Sequence, residues 1–207
     1  PEYLVWHVSN AGNAEVFTFN FNYSDADVLQ ATAELFNNVC DVIPDDVTVL
    51  FENLWWPGLR LIDFNLVERF FASLNKTNVG IMLDTGHLMN TNRQLTSEAE
   101  GIGYVCRTVQ ALGSLKRLIK GVHLSCSLSG SYQQSFEKIV PLQVDYEALL
   151  THIGKIDRHQ PFTVPEAEAI LEAVQPQYLV HELFYDNLTD LGGKLRQQQK
   201  ACGLRSR

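Results

Sequence analysis

Cationic residues are scarce in this chain, and so are cysteines and long apolar runs. Sixteen Lys and Arg stand against 24 Asp and Glu, a formal net charge of −8. That balance disfavours a nucleic-acid partner, whose electrostatic footprint is a basic stripe. The nearest thing to one, Arg107, Lys116, Arg117 and Lys120, is spread along a helical stretch and its exit and reads as a solvated face. The four cysteines, Cys40, Cys106, Cys126 and Cys202, lie far apart with no C-x-x-C pair, which excludes a zinc knuckle and gives no disulfide framework. Cys40 and Cys106 fall within helical patterns and read as small core residues; Cys126 reads as a buried thiol. No apolar run approaches the ~18 residues of a membrane span. Pro1-Glu2-Tyr3 lack the basic start of a secretory signal, so a cytoplasmic protein is expected. What remains is an ordinary soluble composition, 45% hydrophobic and 19% charged, over 207 residues, enough for one domain spanning 1–207.

The most informative stretch is Gly80-Ile81-Met82-Leu83-Asp84-Thr85-Gly86-His87. Its apolar run reads as a strand buried on both faces, as in a parallel sheet. Asp84 falls where that strand emerges, and Gly86 permits a turn sharp enough to bring His87 back beside it. A carboxylate and an imidazole converging at a strand end make half of a divalent-metal site. The plainer alternative is that Asp84 caps the next helix and His87 is a loop histidine.

Five apolar runs read as strands: Tyr3–Val8, Val47–Glu52, Val79–Asp84, Ile119–Leu124 and Tyr178–Leu183. Helical spacing fills the intervals, from the Ser24-Asp25 cap to Ile43, from Asp63 to Leu74, from Ser97 to about Leu118, from Asp145 to Ile156 and from Pro165 to Val174. A closing helix covers Asp186–Lys200, and Gly203–Arg207 is expected to fray. Ser9–Tyr23, Leu88–Thr96 and Ser125–Gln134 read as loops. Strands alternating with helices call for a parallel sheet of βα units. Each strand carries a polar residue at or near its C-terminal end: His7, Glu52, Asp84, His123 and Glu182. In a β/α barrel those ends meet at one mouth, where active sites form.

Two Glu, one Asp and one His supply four ligands suited to Mn²⁺, Mg²⁺, Co²⁺ or Zn²⁺. His7 and His87 suit contacts to ligands or substrate, and Trp55 and Trp56 could wall a substrate face. The set Glu52, Asp84-x-x-His87, His123 and Glu182, in this order at strand ends, resembles the xylose-isomerase-like TIM-barrel superfamily. Glu52–Gly58, Met82–Asn92 and Val180–Leu183 look like its sugar isomerase/epimerase-like members. That resemblance, over essentially the whole chain, implies one divalent ion on Glu52, Asp84, His123 and Glu182. It implies Glu52 and Glu182 as an acid/base pair, and a small sugar-like substrate. The epimerases carry an arginine six residues after the metal-binding His, where this chain has Ser129. Asp157-Arg158-His159 is similar to a segment of the superfamily's apurinic endonucleases in which Asp and His bind a further zinc; an alternative activity is therefore metal-dependent phosphoester hydrolysis, with Asp157 and His159 at a second ion. An inactive binding or scaffold protein is the third reading. Five units resemble the C-terminal part of an eight-unit barrel, so the N-terminal units are expected to be missing and the open sheet to need a partner, such as a second copy.

Overall fold

The computed structural model describes residues 1–204; the last part of the expected fraying tail, 205–207, lies outside the described residues. Five parallel strands form one sheet in sequence order: β1 (Tyr3–His7), β2 (Thr48–Glu52), β3 (Val79–Asp84), β4 (Ile119–Leu124) and β5 (Tyr178–His181). The helices α1 (Asn13–Thr18), α2 (Asp25–Val39), α3 (Phe64–Ala72), α4 (Thr85–Asn90), α5 (Glu98–Ala111), α6 (Gly130–Ser135), α7 (Tyr146–Ile156), α8 (Glu168–Val174) and α9 (Leu188–Ala201) occupy the connections. The result is a half-barrel, an incomplete TIM-barrel-like α/β fold, in which β1 and β5 each have one strand neighbour. Among the described residues no helix is long and apolar enough to cross a membrane.

All five expected strands are present, with β1 ending one residue early and β5 two. A short helix occupies part of each stretch read as a loop: α1 lies inside Ser9–Tyr23, α4 starts at Thr85 and runs into Leu88–Thr96, and α6 runs one residue past Ser125–Gln134. Six residues give too little periodicity to register in sequence, and of the three only α4 has an N-cap side chain bonded to its first turn. Asp84 is that cap: its Oδ1 accepts the His87 backbone N–H at 2.6 Å. The capping and metal readings of Asp84 are therefore compatible, because one oxygen caps while the other stays free. Gly86 does not serve through an unusual φ. A Cβ there would sit 2.6 Å from Ser125 Oγ, so glycine is needed for α4 to start against the end of β4.

Side-chain alternation decides which groups reach the mouth. Phe51 packs on the helices, with ring centroids 5.1 Å from both Phe36 and Phe70. Its neighbours Leu50 and Glu52 therefore face the concave side. Leu50 and Met82 both lean over Gly121, where a Cβ would lie 2.6 Å from Met82 Cε; that glycine gives the methionine room to cross the barrel interior. Two residues further along the same face come Glu52, Asp84 and His123. Tyr3 and Tyr178 meet across the interior, ring centroids 4.5 Å apart, which puts His7 and Glu182 on that face too. The convex face is the main core, where Phe51, Ile81, Leu83, Val122 and Leu124 are fully buried against the helices.

Phe51 is the centre of that convex packing, with Phe71 and Trp6 completing its surroundings at 5.9 and 6.2 Å. Replacing it by Ala leaves a cavity ringed by aromatic side chains that cannot easily collapse. We expect Phe51→Ala to lose about 3–5 kcal/mol in denaturant unfolding. A loss below about 1 kcal/mol would show that the helices do not pack on β2 as described.

Candidate metal centre

At the carboxyl ends of the strands, ligand atoms of Glu52, Asp84, His123 and Glu182 all lie within 4.8 Å of one another. His123 Nδ1 stands 3.2 Å from Glu52 Oε2 and 3.1 Å from Glu182 Oε2. Beneath them Glu52 is wholly buried, while the Glu182 side chain at the rim is 37% exposed. Glu182 lies just past the end of β5, held by its N–H to Leu124 O.

Side chains prolong the sheet where the backbone ladder stops. Asn53, fully buried, donates through Nδ2 to Asp84 O at 3.0 Å and accepts the Asp84 N–H on Oδ1 at 2.9 Å. Thr85 does the same for the next pair of strands, its Oγ1 donating to Ser125 O at 2.7 Å and accepting Ser125 N–H at 3.0 Å. These two residues fix the strand ends that carry the ligands. Neither stood out in the sequence, because a polar residue after a strand is unremarkable until its partner strand is known.

A second group, His87, Asp157 and His159, lies beside the first and is buried throughout. Asp157 Oδ2 is 3.1 Å from His87 Nε2 and 2.6 Å from His159 Nε2. Each imidazole has a backbone carbonyl at its other nitrogen: His87 Nδ1 donates to Asn53 O at 2.9 Å and His159 Nδ1 to Glu182 O at 3.1 Å. A proton fixed on Nδ1 leaves the Nε2 lone pair for a cation, the arrangement by which metal-binding histidines are oriented. His87 also links the groups, its Nδ1 lying 3.2 Å from Glu52 Oε1 and 3.7 Å from Asp84 Oδ1.

An apolar canopy covers this polar floor. Trp55 and Trp56 are buried with Val16 and Ile156, and Trp55 packs on His87 at 5.1 Å between ring centroids. The canopy is tied down by His152, whose Nε2 donates to Val16 O at 3.0 Å and whose Nδ1 accepts from Tyr132 OH at 2.8 Å. His7, at the opposite rim, is 62% exposed and reaches Glu52 Oε1 at 3.3 Å.

Without a cation the centre balances its charge with protons. Burial pushes the Glu52 carboxyl up, but His123, His7 and His87 together hold it far below the usual range. Burial pushes Asp84 up to about 7. Burial pulls His123 down, but Glu182 and Glu52 outweigh it and raise the imidazole to about 10. Burial also opposes charge on Asp157, yet His159 and His87 bring it down to about 2. The donor set fits a divalent ion on an independent ground. Glu52 Oε1 and Oε2, Asp84 Oδ2, His123 Nδ1 and Glu182 Oε2 are buried and make no well-directed hydrogen bond, the histidine–carboxylate approaches among them being 3.1–3.3 Å ion-pair contacts only. Such orphaned polar atoms are costly unless something binds them, and these five belong to the four clustered residues.

A family model described as a xylose isomerase-like TIM barrel matches residues 4–201. The chain belongs to that family. A comparison with curated proteins gives no match.

The titrations give a signed expectation. Asp84 and His123 both bind protons more tightly in the folded chain than their ordinary values of 3.8 and 6.5. The folded state then holds more protons than the unfolded one, and stability falls as pH rises. For Asp84 the loss runs from about pH 4 to 7, and for His123 from about 6.5 to 10. A bound cation displaces those protons and reverses the trend. Metal-free protein should therefore show a falling unfolding midpoint from pH 6.5 to 9, and protein saturated with Mn²⁺ should not. Equal slopes with and without metal would show that these groups do not bind the ion.

Proposed function

We propose that the chain is a divalent-metal-dependent isomerase or epimerase acting on a sugar or sugar-like substrate, with Glu52, Asp84, His123 and Glu182 as ligands. The observation that carries this reading is the set of five orphaned ligand atoms on those residues. A bound Mn²⁺, Mg²⁺, Co²⁺ or Zn²⁺ supplies Lewis acidity, polarising a carbonyl or hydroxyl oxygen of the substrate.

The residues divide the remaining work by position. Glu182, at the rim, takes a proton from the carbon beside the carbonyl, since its side chain is open to the mouth. Glu52 is enclosed by three histidines and serves as the complementary group from below, exchanging protons through His7, whose exposed ring touches it directly while His123 is engaged as a ligand. Trp55 and Trp56 present an apolar wall beside His87 and keep water from the reacting carbon. The net charge of −8 supports a neutral polyol over a polyanion, because a phosphate-rich substrate would approach against the field.

A second reading, phosphoester hydrolysis at two ions, is favoured by one observation. His87 and His159 both present Nε2 to Asp157 with their Nδ1 positions already engaged. Paired ions suit in-line displacement by clamping the attacking and leaving oxygens.

Glu182→Gln preserves shape and removes the ionisable group. We expect it to slow turnover of a ketose substrate by at least ~10²-fold, within the ~10²–10⁴ typical of general acid–base catalysis. Metal content is measured alongside, so that a lost ligand is not mistaken for a lost base. The decisive readout on the unaltered protein is solvent deuterium entering the carbon next to the carbonyl during turnover. Metal-loaded protein that converts its substrate without that exchange does not use this mechanism.

A further inference from the structure

Beneath the second ligand group lies a buried polar network that neither reading uses. Asn90, Ser127, Ser129 and Gln133 are almost completely inaccessible. Asn90 Oδ1 accepts from Ser129 Oγ at 2.7 Å and lies 2.9 Å from Ser127 Oγ. Gln133 Nε2 donates to Asn90 O at 3.0 Å and to Ser129 Oγ at 2.9 Å. Asn90 Nδ2 points at Asp157 Oδ1 across 3.5 Å. Ser127 Oγ lies 2.8 Å from Ile156 O and accepts the Arg158 N–H at 3.0 Å.

Asp157 is thus bracketed on both sides. The carbonyl before it and the N–H after it are bound to one hydroxyl, and one carboxylate oxygen is faced by an amide donor. The other oxygen, Oδ2, is left to the two histidine Nε2 atoms. Ser127 has a single proton to share between Ile156 O and Asn90 Oδ1, so its two donor contacts alternate while its acceptor bond to Arg158 persists.

We propose that Ser127 and Asn90 are positioning residues for a second cation held by His87, Asp157 and His159. They would act through Asp157 by fixing the backbone around it and occupying Oδ1, so that Oδ2 alone is offered to the ion. The proposal rests on the second-ion reading above. Its chemistry is that of a small divalent ion with imidazole and carboxylate ligands, for which Zn²⁺ and Co²⁺ are the natural probes. Outer partners of metal ligands typically govern ~10–100-fold in affinity.

The test is metal binding and needs no turnover. Chelator-stripped protein is titrated with Co²⁺, and bound metal per chain is read by elemental analysis and by the ligand-field spectrum. The unaltered protein should bind two ions. Ser127→Ala should weaken one of them ~10–100-fold and leave the other unchanged. Asn90→Asp keeps an acceptor for the serine hydroxyls, replaces the amide donor with an oxygen facing Asp157, and should do the same. Ser129→Ala touches the same Asn90 oxygen but not the Asp157 segment, and both ions should bind within a few-fold of normal. Circular dichroism confirms folding, and Asn90→Ser replaces Asn90→Asp if the latter does not fold. Two ions at unchanged affinity in Ser127→Ala and the Asn90 variant would overturn the positioning role. Equal weakening of both ions, or the same loss in Ser129→Ala, would also overturn it by showing a general structural effect. One ion in the unaltered protein would remove the second-ion reading itself, and the proposal with it.

Discussion

The structure turns on a carboxylate that water does not reach. Glu52 sits at the end of a central strand with both oxygens buried and no well-directed hydrogen bond, held by ion-pair contacts of 3.2–3.3 Å to His7, His87 and His123. A carboxylate buried in that way is destabilising unless positive charge stands beside it. Protonated imidazoles supply that charge in the metal-free chain, at the cost of burying Asp84 in a state that resists ionisation. A divalent cation would do the same with one charge centre in place of several protons, releasing the histidines to their neutral, lone-pair form. The surrounding fold can be understood as what it takes to keep this group buried and its compensating charges close.

Holding it requires rigid strand ends. A parallel ladder ordinarily frays where its last backbone bond is made, yet here Asn53 and Thr85 continue the pairing with side-chain groups. The main core beneath, centred on Phe51 and the aromatic rings around it, anchors the same strands from the convex side. Above, the canopy of Trp55, Trp56, Val16 and Ile156 is a separate apolar cluster, joined across 136 residues of sequence by the His152 to Val16 hydrogen bond. His87 therefore lies between two packed layers, while Glu182 stays open at the rim. Small errors in the placement of His87 are resisted from both sides, as a preorganised site needs.

Much of this was legible in the sequence because strands bury continuous apolar runs and end in residues that cannot be core. Thr48–Glu52 and Val79–Asp84 are completely buried, and their patterns could mean little else. The alternation that puts Glu52, Asp84, His123 and Glu182 on one face follows from strand geometry once the sheet is parallel. The short helices were less legible. α4 was only half so: Asp84 as the cap of a following helix was one of two readings, and its side-chain cap at 2.6 Å does start a helix there, but the helix runs on into a stretch that read as loop. Asn53, Asn90 and Ser127 were missed for a different reason. Their partners lie about 30 to 70 residues away, and a polar residue joined to a distant group has no local signature.

His87 joins the two ligand groups into one electrostatic unit. Its Nδ1 proton goes to Asn53 O, close to Glu52 and Asp84, while its Nε2 faces Asp157. Protonating Nε2 serves both groups at once by placing positive charge among three buried carboxylates, which is why the ring is held charged well above its ordinary range despite the opposing effect of burial. A cation taking the place of that proton beside Asp157 would leave the imidazole neutral, so the charge felt by Glu52 and Asp84 would then come from the ion and no longer from the ring. Asn53 keeps the tautomer the same in either state, because its carbonyl engages Nδ1 while its side chain holds Asp84. The ring can thus exchange a proton for a metal without turning. A site built on that exchange would couple its ion content to pH through His87 together with His159, whose Nε2 meets the same Asp157 oxygen.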